Sequence, residues 1–173
     1  MPLNPDASEL IERKKNIKIF IETGTADGDG IECALKAGFE KIYSIELNPN
    51  LFKRCKERFK VNKNVHLILG SSEKELPKIL ENINEPFLLW LDAHWAGGEY
   101  IGELMDVYLP KELKSIEKYS KKFDSSVIMI DDMNYYIDDK DFCLMIKNLV
   151  NCVKTNGSIE YVNSLFTTHL IKY

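Results

Sequence analysis

Short apolar runs alternate along this chain with longer stretches in which apolar positions recur every three or four residues. The short runs read as strands and the longer period as amphipathic helices, so the alternation predicts repeated βαβ units around a mostly parallel sheet. Asp6 to Lys15 reads as a leading helix and Ile17 to Thr23 as the first strand. The next helix, from about Asp29, stops at Gly38, in the C′ position where glycine accepts a left-handed turn. A second strand, Lys41 to Leu47, leads to a helix with Asn48 as N-cap and Pro49 at its first position, and Leu51, Phe52, Cys55 and Phe59 recur at helical spacing.

Val65 to Leu69 is the third strand, followed by a helix to about Glu81 for which Ser72 and Glu75 form a capping box. The fourth and fifth strands, Phe87 to Leu91 and Val127 to Ile130, are almost wholly apolar, as expected of central strands covered on both faces. Between them a loop from His94 to Leu109 precedes a helix begun by Pro110 and faced by Leu113, Ile116 and Phe123. Another helix is expected over Asp138 to Val150, its buried face carrying Phe142, Met145, Ile146 and Leu149. Ser158 to Val162 and Thr167 to Lys172 are joined by too few residues for a parallel crossover and should pair antiparallel. The expected architecture is a single α/β domain over residues 1–173, a Rossmann-like doubly wound sheet of seven strands, mostly parallel, with a C-terminal antiparallel hairpin.

Composition narrows the function classes. At 173 residues with 45% apolar content the chain can bury one proper core, and a net charge of −4 lacks the basic footprint of a dedicated nucleic-acid binder. The clusters Arg13-Lys14-Lys15 and Lys121-Lys122 read as solvated helix faces or ends. Four scattered cysteines without a Cys-x-x-Cys pair suit buried free thiols in a reducing compartment. The amino-terminal stretch has neither an apolar signal core nor a membrane-spanning run, so a cytoplasmic protein with no membrane partner is expected.

Chemistry gathers at the strand ends. The first strand closes on Glu22, the second on Glu46, the fourth on Asp92 and the fifth on Asp131 and Asp132. If the strands are parallel neighbours, these acids line the edge where open α/β sheets bind ligands, and an acidic edge attracts a cationic cofactor or a metal and repels phosphates. The turn Thr23-Gly24-Thr25-Ala26-Asp27-Gly28-Asp29-Gly30 lets backbone approach a ligand closely. It also fits the turn of short-chain dehydrogenases, but Glu22, two residues before the first glycine, favours the ammonium of a methionine moiety over a pyrophosphate. Glu46, about twenty residues on, stands where an acid takes ribose hydroxyls, and Gly70-Ser71-Ser72 would lie near an adenine. His66 and His169 fall away from this edge and read as structural, whereas His94 is placed to act as a base or metal ligand, or else to hold the Gly97-Gly98 loop by hydrogen bonds. Trp95, Tyr100, Tyr135 and Tyr136 flank strands four and five, where they could stack on an acceptor.

Phe20 to Thr25 through Gly30, Tyr43 to Leu47, Trp90 to Gly98 and Ile130-Asp131-Asp132 together resemble the successive motifs of class I S-adenosylmethionine-dependent methyltransferases, in particular small bacterial members associated with sugar and glycan modification. The resemblance implies cofactor contacts from Glu22, Thr23, Gly24, Thr25 and Gly28, from Glu46 and Leu47, and from Gly70, Ser71 and Ser72; many relatives carry an acid where this chain has Ser71. Asp92 with Asp131 and Asp132 is similar to the metal site of metal-dependent sugar O-methyltransferases, which implies Mg²⁺ or another divalent cation. A metal held by carboxylates makes an acceptor hydroxyl easier to ionise, and Asp92 or His94 would take its proton.

The expected function is therefore an O-methyltransferase acting on a small hydroxylated acceptor, a sugar or glycan unit, with no nucleic-acid partner; a homodimer is compatible with it. Two alternatives stand beside it: a methyltransferase-fold protein that binds a nucleoside without turnover, and a short-chain oxidoreductase, prompted by Tyr136-Ile137-Asp138-Asp139-Lys140.

Overall fold

The computed structural model of the chain describes residues 7–93, 108–119, 126–131, 140–141, 144, 159–163 and 168–172. The elements through residue 130 are α1 (Ala7–Lys14), β1 (Ile19–Thr23), α2 (Asp29–Lys36), β2 (Lys41–Glu46), α3 (Pro49–Arg58), β3 (Val65–Leu69), α4 (Ser72–Asn82), β4 (Phe87–Leu91), α5 (Tyr108–Tyr119) and β5 (Val127–Ile130). The five strands form a parallel sheet in the order β3-β2-β1-β4-β5, an α/β Rossmann-like arrangement. Chain direction across the sheet reverses between β1 and β4, which makes their carboxyl ends the topological switch point.

Period-two alternation divides the core between the two faces. Ile19, Ile21, Ile45, Leu89, Leu91 and Ile130 pack against Leu76, Ile79 and Leu80 of α4 and Leu113 and Ile116 of α5. Phe20, Ile42, Leu88, Trp90 and Met129 pack on the other face against Leu10 of α1, Ile31 and Ala34 of α2, Cys55 of α3 and Phe59 just past its end. Strands β1, β4 and β5 are buried at every position, as expected of strands covered on both sides.

Local signals set most boundaries. Asn48 caps α3, its Oδ1 accepting from the Asn50 amide at 2.8 Å with Pro49 at the first position. At the end of α2 the Gly38 amide bonds the Leu35 carbonyl and the Phe39 amide the Ala34 carbonyl, a Schellman motif that needs the left-handed φ of +76° at Gly38. The Lys14 Nζ donates to the Ala37 and Gly38 carbonyls and so closes the end of α2 from the neighbouring helix.

Three expectations shift. β1 begins at Ile19, because the Ile17 amide is spent on the Lys14 carbonyl in the turn that ends α1. α5 begins at Tyr108, two residues before Pro110, which is tolerated in the first turn where no intrahelical N–H is needed. The cap of α4 is Ser71, and Ser72 is the first helical residue; no side-chain capping bond forms, and Glu75 pairs instead with Lys78 at 2.7 Å. The expected contact of Phe123 and most of the helix over residues 138–150 lie outside the described residues. Among the described residues no helix is long and apolar enough to cross a membrane.

Candidate functional site

Because the strands are parallel and in register, Glu46, Glu22, Asp92 and Asp131 come to the carboxyl ends of four successive strands, β2, β1, β4 and β5. Leu91 pairs with Ile130, so Asp92 and Asp131 each follow directly on neighbouring strand ends. The Asp92 amide donates to the Thr23 carbonyl and hydroxyl, both at 3.2 Å, and the Trp90 indole N–H lies 3.4 Å from Asp92 Oδ2. Asp131 is buried, its amide bonded to the Leu91 carbonyl. These contacts tie the two aspartates to the sheet.

The turn after β1 is held from three directions. Gly24 and Thr25 donate to the Ile45 carbonyl, which extends the β1–β2 ladder past the strand end. Gly24, Ala26 and Gly28 adopt positive φ of 83°, 50° and 87°. For Ala26 this is a strained conformation, held because Glu46 Oε2 accepts its amide at 2.8 Å and the Cys55 thiol donates to its carbonyl at 3.3 Å. The Asn48 amide donates to the other Glu46 oxygen at 2.7 Å, so Glu46 joins the turn to the start of α3. Burial raises the Glu46 pKa, against the backbone amides that favour its ionised form.

Glu22 sits deeper. It is 1% exposed, on the face covered by α1, α2 and α3, where Gly30 of α2 lies so close that a Cβ there would come within 1.9 Å of Oε1. Its Oε2 accepts from Ser44 at 2.6 Å, and the Ser44 and Thr25 hydroxyls are 2.5 Å apart. Burial, with Asp92, Glu46 and Asp29 adding like charge, pushes the Glu22 carboxyl up to about 8 against the opposing Ser44 bond.

At the end of β3 the Ser71 and Ser72 hydroxyls are buried and have no hydrogen-bond partner among the described residues. A buried hydroxyl left unmet costs about 1–3 kcal/mol. Of the residues anticipated from the sequence, Glu22, Thr23, Gly24, Thr25, Gly28, Glu46, Leu47, Gly70, Ser71, Ser72, Asp92 and Asp131 all lie on or beside this edge. His94, Trp95, Tyr100, Asp132, Tyr135 and Tyr136 fall outside the described residues. Among the described residues no three potential ligands are grouped to hold a metal ion.

Two contributions escape a segment-by-segment reading. Ser44 is a polar residue inside a buried strand, two positions before the strand-end acid, and that placement is its only signal. Arg54 and Arg58, one helical turn apart on α3, grip the glycine turn. Arg54 pairs with Asp27 at 3.1 Å, and Arg58 donates to the Asp27 carbonyl at 2.5 Å, to Asp29 at 2.9 Å and to Glu32. The Phe59 ring lies beneath Gly28. Exposed pairs of this kind contribute little to global stability, under about 1 kcal/mol. Arg58→Ala is therefore expected to leave the melting temperature nearly unchanged while raising amide exchange at residues 27–30 about fivefold. Unaltered exchange would show that Phe59 and Cys55 hold the turn unaided.

The opposite edge has the reverse character. A cleft of about 390 Å³ there is lined by Lys18, Lys41 and Lys63, with Glu40, Glu85 and His66. Burial and Lys41 lower the His66 pKa, and its place beside Lys41 confirms that it lies away from the acidic edge.

No family model and no curated protein matches this sequence. Solved structures match it in shape. A methyltransferase from Podospora anserina with S-adenosylhomocysteine bound is 16% identical over 96% of this chain and 77% of that one, with a TM-score of 0.65. An O-methyltransferase from Bacillus cereus, also in complex with S-adenosylhomocysteine, is 12% identical over 99% and 82%, with a TM-score of 0.65. An rRNA methylase from Streptococcus thermophilus is 13% identical over 99% and 98%, with a TM-score of 0.62. The fold is thus the Rossmann-like fold of the S-adenosylmethionine-dependent methyltransferases, as the motif resemblance implied.

Proposed function

We propose that this chain is an S-adenosylmethionine-dependent O-methyltransferase acting on a small hydroxylated acceptor, a sugar or glycan unit. The observation that carries the reading is the row of four acids on successive strands across the switch point of a methyltransferase fold. A cation is attracted to such an edge and a pyrophosphate is repelled, which favours a sulfonium cofactor over a nicotinamide dinucleotide. The unmet Ser71 and Ser72 hydroxyls fit a nucleoside base, and the turn from Gly24 to Gly28 fits the methionine portion. Bound there, the cofactor supplies an electrophilic methyl group to an acceptor oxygen.

The chain's own residues divide the remaining work in this reading. Glu46 anchors the turn through the Ala26 and Asn48 amides and is assigned the ribose hydroxyls, and Asp92 or His94 receives the acceptor proton. Metal assistance remains part of the proposal: Asp92 and Asp131 are hard oxygen donors on adjacent strand ends, which suits Mg²⁺, and Asp132 would be the third. The sheet is proposed to reach seven strands through β6 (Ile159–Asn163) and β7 (Thr168–Lys172). Antiparallel register from Ile159 opposite Lys172 to Asn163 opposite Thr168 supports that hairpin, with Ile128 of β5 opposite Lys172. A single cytoplasmic domain completes the reading.

Calorimetric titration with S-adenosylhomocysteine, with and without Mg²⁺ and with NADP⁺ as control, tests the cofactor class. Saturable micromolar binding of the homocysteine nucleoside alone is expected; preference for NADP⁺ would replace the reading with the oxidoreductase one. Asp131→Ala should keep nucleoside affinity within about threefold and lose more than about 100-fold in methyl transfer to a panel of sugars. Full activity of that variant, or of wild type in excess chelator, would remove the metal from the mechanism. Nucleoside binding with no transfer by the wild type to any acceptor would leave a binding protein.

A further inference from the structure

The two buried glutamates of the edge are held in opposite ways. Glu46 receives a backbone N–H on each oxygen, from Ala26 and from Asn48, and those fixed dipoles favour its negative charge. Glu22 has no amide donor: among the described residues, Ser44 is its one hydrogen-bond partner, and Gly30 closes over its other oxygen. Ser44 is itself fully buried and shares its hydroxyl with Thr25, so the pair forms a closed, water-excluded chain.

The charged groups that act on Glu22 from the neighbouring elements are acids: Asp92 beyond β4, Glu46 on β2 and Asp29 on α2. From α3 the Cys55 thiol faces the same region and, with burial and Glu22 both pushing it up to about 11, stays neutral. The Arg58 guanidinium on α3 is engaged by the Asp27 carbonyl, Asp29 and Glu32. Among the described residues Glu22 therefore has no compensating cation, at a strand end that lies on the acidic edge.

We propose that Glu22 is the specificity-determining group by which this site tells the positively charged methyl donor from its neutral thioether product. The carboxyl keeps its proton in the empty protein; donor and product bring the same methionine ammonium, so it is the donor's additional sulfonium charge that draws this proton off to solvent. Charge balances: one positive charge enters, one proton leaves, and the bound pair is carboxylate and sulfonium. Transfer of the methyl group removes the sulfonium charge, the carboxylate takes a proton back from solvent, and the attraction that held the donor is gone when the product must depart. This inference rests on the cofactor reading above and assigns its charge selectivity to one residue.

Calorimetry of S-adenosylmethionine and S-adenosylhomocysteine in two buffers of different ionisation enthalpy, with chelator present, counts the protons exchanged on binding. Near pH 7 the donor is expected to release ~0.5–1 proton more than the product. The ratio of donor to product affinity should rise by about tenfold between pH 6.5 and 8.5. The nucleosides' own amino groups titrate near pH 8, and the comparison with Glu22→Gln subtracts them: in that variant the extra proton and the rise in ratio should both disappear. Ser44→Ala, which removes the donor that favours the carboxylate, should move the rise to higher pH. Equal proton numbers for donor and product in the wild type, or a difference that survives in Glu22→Gln, overturn the inference and leave the cofactor reading standing. No binding of either nucleoside across this pH range overturns both.

Discussion

Gly24→Ala is expected to destabilise the fold by about 4 kcal/mol, combining the left-handed backbone penalty with overpacking against rigid neighbours. Gly24 has φ of +83°, and a Cβ there would meet the Asp92 carbonyl oxygen at 2.3 Å and its carbon at 2.9 Å. Both are backbone atoms, so no side chain can rotate away. The strand end cannot retreat either, because the Gly24 amide is bonded to Ile45 on one side and Asp92 is bonded to Thr23 on the other. Relief would require β1 and β4 to part at the switch point, where the site is assembled. A fall in melting temperature of roughly 10 °C should accompany the change, with nucleoside binding lost even where the fold persists. A melt within about 2 °C of wild type would show that the two strand ends separate easily, and the rigid edge would have to be abandoned.

Glu22→Gln is expected to stabilise the ligand-free protein, by an amount that grows with pH. The Glu22 carboxyl is raised to about 8 when folded and has an ordinary value when unfolded. Below about pH 4.5 both states hold the proton and the carboxyl costs nothing. Between there and pH 8 the unfolded chain loses its proton while the folded protein retains it, so stability falls as pH rises, and above pH 8 the loss is complete. A glutamine of the same shape escapes this linkage, giving an advantage on the order of 4 kcal/mol at pH 8 that vanishes toward pH 4.5. Urea denaturation of both proteins at pH 5 and pH 8 measures it. An offset that is the same at both pH values would mean that Glu22 is ionised in the free protein and has a partner other than Ser44.

The acidic edge was legible in the sequence for a definite reason. Each strand announces itself by a local apolar run, and parallel βαβ units bring all carboxyl ends to one side, so Glu22, Glu46, Asp92 and Asp131, at or just past four strand ends, could be assigned to a common edge without a structure. Helix stops at Gly38 and starts at Asn48 were readable because each cap is made within a few residues. The cap of α4 was displaced by one residue because Ser71 and Ser72 are alike in type, and only the path of the chain out of β3 decides which one stays outside the helix.

What local pattern determined, then, is the sequence of elements, their parallel arrangement and the sign of charge along the ligand edge. Tertiary structure decided how each acid is treated. Glu22 and Glu46 are the same residue type near the ends of neighbouring strands, yet one meets a buried serine and the other meets two backbone amides. Those partners lie on different elements, brought beside each acid by sheet register and by the seating of α2 and α3 on the sheet. Secondary structure follows from a period carried by neighbouring residues, whereas a carboxyl's proton affinity follows from how much water is excluded and which dipoles remain, and those are set only when distant segments pack together.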